Sequence, residues 1–378
     1  MDWQPRAIAL AEQVTHAVSR WREPVAVTPR HLLVPRWWTA TGDGWELRDG
    51  PADLPAWLDA AYTDQTLVTQ VGALHADLAT TGQRAAGRPA SSSTLPSLAV
   101  QMYRHARITD AADVLDVGTG SGYGAALLTY RLGPQHVTSI DIDPYLTKAA
   151  AERLDGIGLL PHVATCDATG PLPGDYDRIV SMAAVRPVPP SWLATLRPGG
   201  RLVTTITGTT AILAADKRED GRAFGRIERD WAGFMAVRHG PGYPPQPGDG
   251  REELLNGDGE HVAPGRYPLV IPEDAWELRT MLSIELPGIT SHHRTAPDGT
   301  ATVWLVHADG SWARAEGKPG KPAPLVHQSG PRRLWDLLDE LRDRWLAEAA
   351  LPVYGALAMI EADGTIKLAR GAWRATIQ

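Results

Sequence analysis

Val114-Leu115-Asp116-Val117-Gly118-Thr119-Gly120-Ser121-Gly122-Tyr123 is the stretch that decides the fold. Its first four residues read as a short buried strand, its glycines as a tight turn and Tyr123 onward as a helix. Glycine is needed where the backbone turns sharply at a strand end and a ligand must come close; the helix that follows aims free amides at that ligand. Taken alone, such a loop serves a dinucleotide or a nucleoside. Working outward, helices fit at 97–107, 123–132 and 144–156, and strands at 113–117, 136–140, 162–165, 177–182 and 201–207. Strands alternating with helices predict an α/β fold, a Rossmann-like doubly wound parallel sheet covered on both faces.

Two acids narrow the ligand. Asp141 ends the second strand, where a carboxylate accepts both hydroxyls of a ribose, and Asp167 follows the third, where it accepts from an adenine amino group. Plainer roles stay open, Asp141 as a helix cap before Pro144 and Asp167 as a turn residue. The form Asp116-x-Gly-x-Gly-x-Gly with these two acids resembles the nucleoside pocket of class I S-adenosylmethionine-dependent methyltransferases. That resemblance implies S-adenosylmethionine as cofactor and S-adenosylhomocysteine as product. The implied cofactor-binding set is Asp116, Gly118, Thr119, Gly120, Ser121, Gly122, Tyr123, Asp141, Ile142, Asp167 and Ala168.

The resemblance extends over residues 25–210. His31 to Pro35, Ala61-Tyr62-Thr63-Asp64 and Thr94-Leu95-Pro96 with Met102 are similar to the N-terminal signature of the protein-L-isoaspartate O-methyltransferase family. Tyr176 to Ser181, Ala183-Ala184 and Leu196 to Val203 continue in that family's order. The likeness implies that Ser93-Thr94-Leu95-Pro96 lies against both methyl donor and substrate carboxylate, usually through a serine. Thr94 holds the serine position here, so Thr94 and Ser93 are the catalytic candidates, with Ser91, Ser92, Tyr62 and Arg186 on the substrate side; Ser91–Thr94 also reads as a plain helix cap. A long extension from about residue 215 departs from the compact family pattern. It resembles methyltransferases associated with ribosomally made, modified peptides, which implies a cyclised precursor peptide as partner, an aspartate ester, and closure to a succinimide (aspartimide) or isoaspartate.

Composition sets the outer bounds. Lys+Arg 37 against Asp+Glu 44 gives a net charge of −7, which argues against nucleic acid or an anionic membrane as partner. The single cysteine, Cys166, excludes an internal disulfide and a cysteine-cluster metal site, and no metal is expected. No apolar run approaches the roughly 20 residues of a membrane span, and the N-terminus lacks signal-peptide form, so a cytoplasmic protein of open oligomeric state is expected.

Four segments follow: 1–90, an N-terminal helix (5–22, with Ile8, Val14 and Val18 on one side) and an extended, substrate-side arm with loops after it; 91–215, the cofactor-binding core; 216–250, a linker; and 251–378, a smaller C-terminal α+β domain for peptide recognition. In the last, hairpins are expected around Asp309-Gly310 and Asp363-Gly364, with Ser329 capping a helix. Trp37-Trp38 reads as core or as a peptide groove, His292-His293-Arg294 as solvated loop or metal site, Cys166 as a small buried residue, and Asn256-Gly257 as a turn. Three functions remain in play: a peptide-aspartate or isoaspartate-repair carboxyl methyltransferase, a methyltransferase for RNA or a small molecule, and a non-catalytic peptide-binding module retaining a nucleoside pocket.

Overall fold

The computed structural model describes residues 2–42, 44–239, 257–318, 320 and 322–378. Its N-terminal part runs α1 (Gln4–Val14), α2 (Arg22–Val27), α3 (Arg30–Leu33), β1 (Arg36–Thr41), β2 (Gly44–Asp49), α4 (Leu54–Ala61), β3 (Leu67–Val71), β4 (Leu74–His75), β5 (Arg84–Ala85) and β6 (Pro89–Ser93). The core continues with α5 (Pro96–Ala106), β7 (Val114–Val117), α6 (Tyr123–Leu132), β8 (Val137–Asp141), α7 (Pro144–Gly156), β9 (His162–Thr165), β10 (Tyr176–Val185), α8 (Pro190–Thr195) and β11 (Leu196–Ile206). Then come β12 (Ala211–Lys217), β13 (Ala223–Trp231), β14 (His261–Pro264), α9 (Trp276–Glu285), β15 (Thr290–Thr295), β16 (Ala301–Val306), β17 (Trp312–Gly317), β18 (Leu325–Ser329), α10 (Leu334–Ala347), β19 (Leu357–Ile360), β20 (Ile366–Arg370) and β21 (Trp373–Ile377).

One ten-stranded sheet has the order β21-β20-β19-β13-β12-β11-β10-β7-β8-β9. Its β9-β8-β7-β10-β11 half is parallel, as βαβ crossovers require. All four residues of β7 are buried, the mark of a strand covered on both faces. Chain order reverses beside β7, so the carboxyl ends of β7, β8 and β10 open a crevice at the switch point. Gly118 turns the chain there at φ +98°, a conformation that side chains disfavour.

The sequence-based division needs correction in four places. First, α1 ends at Val14 and buries Ala7, Leu10 and Ala11, whereas Ile8 and Val18 are exposed. Second, the supposed arm is the short α3 followed by β1, and the polar stretch after it forms β2; these belong to a six-stranded sheet, β4-β3-β1-β2-β5 with β6 on β3. Trp37 and Trp38 are buried within it. Third, the 216–250 linker contains β13, which pairs with β12 antiparallel from Lys217↔Ala223 to Ala211↔Trp231, with a register shift between Ala211 and Leu213; the Gly240–Gly248 run and Asn256 lie outside the described residues. Fourth, the C-terminal part is not one separate unit. Strands β14–β18 make their own antiparallel sheet, on which α10 packs with α9 beside it, but β19–β21 extend the large sheet through β13. The Asp309-Gly310 and Asp363-Gly364 hairpins form as expected. Ser329 instead ends β18, and α10 starts five residues later without a side-chain cap.

Candidate active site

The crevice is a cleft of about 310 Å³ at the ends of β7, β8 and β10. Gly118, Gly120, Asp141, Ile142 and Ala168 line one side, and Ser91, Ser92 and Thr94 another. Gly120 explains how the two sides come together. A Cβ there would stand 3.1 Å from the Ser92 carbonyl oxygen and 3.7 Å from Ser91 Oγ, closer than an ordinary contact at the first. Glycine thus lets the hydroxyl-bearing loop lie directly on the ligand loop.

Asp141 braces the glycine turn. Its Oδ2 accepts from Gly120 N–H at 3.0 Å and its Oδ1 from Asp143 N–H at 3.1 Å. Burial raises its carboxyl pKa despite those bonds. Helix α7 is capped by Asp143, whose side chain accepts from the Tyr145 and Leu146 amides, so the capping alternative for Asp141 falls away.

Asp116 sits behind the loop, 1% exposed, with Oδ2 accepting from Ser139 Oγ at 2.8 Å. Ser139 Oγ is also 2.7 Å from Thr119 Oγ1, which ties the strand to the turn. Asp116 Oδ1 and the nearby Tyr103 hydroxyl are buried without hydrogen-bond partners. Burial pushes the Asp116 carboxyl up to about 7, and the neighbouring Asp141 charge adds to this. A folded-state pKa raised above the unfolded value of 3.8 means that the native form holds the extra proton between those values, so stability falls as pH rises from about 4 to about 7. Asp116→Asn should flatten that part of the profile: urea midpoints at pH 5 and pH 8 should differ less in the variant than in the parent. Equal differences would contradict the burial argument.

Ser121 and Tyr123 turn away from the main cleft, into a space of about 20 Å³ that Ser93 and Thr94 also line. Gly122, at φ +84°, begins α6. Asp167 lies in the chain between the lining residues Cys166 and Ala168 but is not itself among the cleft-lining residues. Burial opposes its ionisation, but the Thr169 amide at 2.9 Å and hydroxyl at 2.7 Å, with His239 3.1 Å from its other oxygen, hold the carboxyl below the usual range. Cys166 has its thiol pKa raised by burial, as suits a packing residue.

The serine run resolves into distinct roles. Strand β6 carries Ser91–Ser93 along β3. Ser91 Oγ accepts from Thr69 Oγ1 at 3.1 Å, which leaves its own proton to donate elsewhere. Ser93 is 1% exposed, and its Oγ accepts from Arg30 Nε at 3.4 Å. None of them caps α5: its first turn is closed by Asp64, which accepts from Ser97 N–H at 2.9 Å.

Two substrate-side expectations are not met. Tyr62 is buried with Trp3 and His31, its hydroxyl 2.7 Å from His31 Nδ1, and is not among the cleft-lining residues. Burial takes the His31 ring down to about 4, so this pair is neutral packing. Arg186 faces away from the cleft and donates to the carbonyls of Ser283 at 3.1 Å and Ile284 at 2.7 Å. Those are last-turn carbonyls of α9 that lack helical partners, so Arg186 fastens the C-terminal part to the end of β10. Arg186→Gln should cost about 2 kcal/mol of stability, the scale of two hydrogen bonds from a charged group, without altering nucleoside affinity. A change in affinity at unchanged stability would restore Arg186 to the site.

Sequence reasoning missed Arg30 and the segment Gly233–Arg238. Arg30, 1% exposed, donates to the carbonyls of Ala61, Thr63, Gln65, Ser93 and Thr94 at 2.8–3.3 Å and lies over the Tyr123 ring. Only its place before His31 hinted at a role. Gly233–Arg238 lines the cleft because it runs beside β10: Ala184 N–H donates to Met235 O and Val237 N–H to Ala184 O, both at 2.8 Å. The apolar run Phe234-Met235-Ala236-Val237 was its sequence signal. His292, His293 and Arg294 lie on the exposed β15, with His293 3.4 Å from Glu273. Among the described residues no group of three or more His, Cys, Asp or Glu is placed to hold a metal ion, and no helix is long and apolar enough to cross a membrane.

Comparison with known proteins meets this geometry. Residues 60–233 match the family model described as protein-L-isoaspartate(D-aspartate) O-methyltransferase. A protein-L-isoaspartate O-methyltransferase of Ignicoccus hospitalis is 35% identical over 116 residues, 29% of this chain and 54% of the relative. One from Anaeromyxobacter sp. is 37% identical over 133 residues, 33% of this chain and 62% of the relative. A ribosomal protein L11 methyltransferase of Dechloromonas aromatica is 37% identical over 98 residues, 25% of this chain and 32% of the relative. The chain spans about half the length of the curated isoaspartate relatives it matches. A solved structure described as a protein-L-isoaspartate O-methyltransferase aligns with a TM-score of 0.49 at 15% identity, over 99% of this chain and 98% of the other.

Proposed function

We propose that the chain, whose residues 60–233 match the protein-L-isoaspartate O-methyltransferase family model, is an S-adenosylmethionine-dependent carboxyl O-methyltransferase acting on an aspartate of a peptide. The observation that carries this reading is the hydroxyl loop Ser91–Thr94 lying on the Gly118–Gly120 turn in the cleft that holds Asp141. The residues fit the donor. Asp141 would take the ribose hydroxyls, Gly118 and Gly120 leave room for close approach, and Asp167, next to the lining residues Cys166 and Ala168, would take the adenine amino group. When bound, S-adenosylmethionine supplies a methyl group on a positively charged sulfur.

The chain's own part is positioning. An aspartate carboxylate has a reference pKa of about 3.9, so the acceptor is ionised at neutral pH without a general base. Among the described residues the titratable cleft lining is Asp141, Cys166 and Arg238, and none is poised as a base. Ser91, with its oxygen already accepting from Thr69, donates to the acceptor, and Ser92 and Thr94 stand beside it. Arg30 holds the Ser93 and Thr94 carbonyls, so the acceptor loop cannot drift from the glycine turn. Walls such as Leu95, Leu98 and Met182 exclude water from the transfer.

The finer reading is a side-chain aspartate in a cyclised, ribosomally made precursor peptide. Its methyl ester then closes: the following backbone nitrogen bonds to the ester carbon, the carbon–oxygen bond breaks, and methanol leaves with the nitrogen's proton. The long C-terminal extension supports this over repair of damaged proteins, the second reading, which the family model's description favours. The test offers the labelled donor with an L-isoaspartyl hexapeptide, its L-aspartyl counterpart and a side-chain-cyclised peptide bearing one aspartate. Preference for the cyclised peptide, with label released as methanol, is expected. Preference for the isoaspartyl peptide would overturn the precursor reading in favour of repair.

A further inference from the structure

A second cavity of about 410 Å³ lies between α9, α10 and the β20–β21 hairpin. Met281, Val353 and Trp373 give it an apolar floor, each at most 9% exposed, and Trp345 adds a second indole. Three arginines, Arg344, Arg370 and Arg374, line it against one acid, Glu348. That excess of cations runs against a chain of net charge −7.

The charges are not equally committed. Arg344 donates to Glu285 at 2.6 Å and sits in the last turn of α10, where it offsets the helix's own negative end. Glu348 accepts from Ala372 N–H at 2.6 Å. Arg370 is anchored through Nε to the Pro352 carbonyl at 3.2 Å, and Arg374 through one Nη to the carbonyls of Gly371 and Trp373. Each guanidinium has five N–H donors, so these anchors fix the two groups while leaving donors for a ligand. Neither arginine is paired with a carboxylate by these bonds. Fixed guanidinium forks beside tryptophan suit a carboxylate next to an aromatic or branched side chain.

We propose that this cavity docks an acidic, apolar-flanked segment of the same peptide whose aspartate is methylated in the cleft, an inference that rests on the peptide reading above. The topology connects the two places. Ala183 lines the cleft, Arg186 reaches from the end of β10 to the last turn of α9, and Met281 of α9 lines the second cavity. One helix diameter of about 10 Å plus an arginine's reach gives a separation on the order of 20 Å, which about six extended residues span. The docking segment therefore lies at least about six residues from the modified aspartate.

The test uses the full chain, since β19–β21 are part of the core sheet. Fluorescein-labelled peptides Phe-Glu-Leu-Glu-Phe-Glu and Phe-Gln-Leu-Gln-Phe-Gln serve as probes in anisotropy titrations. The acidic probe should bind at least about tenfold tighter than the neutral one, and Arg370→Gln/Arg374→Gln should abolish that difference while calorimetry shows S-adenosylhomocysteine affinity unchanged. Equal binding of the two probes, or an unaltered preference in the double variant, would overturn the docking site. If the acidic probe binds as expected but fails to inhibit methylation of the cyclised peptide, the site is real and its tie to the substrate is wrong. Loss of S-adenosylhomocysteine binding by the parent would instead strike the methyltransferase reading, whatever the probes do.

Discussion

Arg30→Ala lowers the stability of the chain by on the order of 4 kcal/mol, a shift of about 5 °C in Tm for a chain of this size. The cause is local: five carbonyls, from Ala61 through Thr94, lose their buried donor together, and a volume opens beside Tyr123. Burial already lowers the Arg30 pKa, so the charge is tolerated only through these bonds and the ring below it. Arg30→Lys restores only a minor part, because an ammonium cannot span the carbonyls of two separate segments as a planar fork does. In the variant that still folds, released Ser93 and Thr94 carbonyls should raise the acceptor KM more than they change donor affinity. A fully stable Arg30→Ala protein would contradict the hub assignment.

Asp141→Ala should weaken S-adenosylhomocysteine binding about a hundredfold, from the loss of two charge-assisted hydrogen bonds worth about 3 kcal/mol together. The same carboxylate orders the free turn through Gly120 and Asp143, so the variant also loses pre-organisation. Asp141→Asn keeps an acceptor oxygen and should fall between. Calorimetry against the parent reads the effect directly; an unchanged affinity would place the ribose elsewhere.

Local pattern was enough for the cofactor half. The helices Tyr123–Leu132 and Pro144–Gly156 coincide with their sequence-based bounds because Gly122 and Gly133, and the Asp143-Pro144 start, mark those ends chemically. Strand 162–165 likewise agrees. The N-terminal helix fails because small residues, Ala7 and Ala11 with Leu10, carry its packing, while Ile8 and Val18 point to solvent. The division of the C-terminal part fails for another reason. Nothing in Leu357–Ile360 announces that it will pair with Ala223–Arg226, more than a hundred residues away. Arg186 and Tyr62 show the same gap at the site, since their partners, the α9 carbonyls and His31, are fixed by tertiary placement alone. Arg30 could not be read because five of its hydrogen-bond partners are backbone carbonyls, which carry no residue identity.

A crystal structure of the chain soaked with S-adenosylhomocysteine decides whether the cleft at the ends of β7, β8 and β10 seats the nucleoside. The ribose hydroxyls should lie within hydrogen-bond distance of Asp141 and the sulfur should face Ser91, Ser92 and Thr94 across the Gly118–Gly120 turn. A nucleoside seated elsewhere, or seated in the cleft with its sulfur turned away from that hydroxyl loop, would contradict this placement.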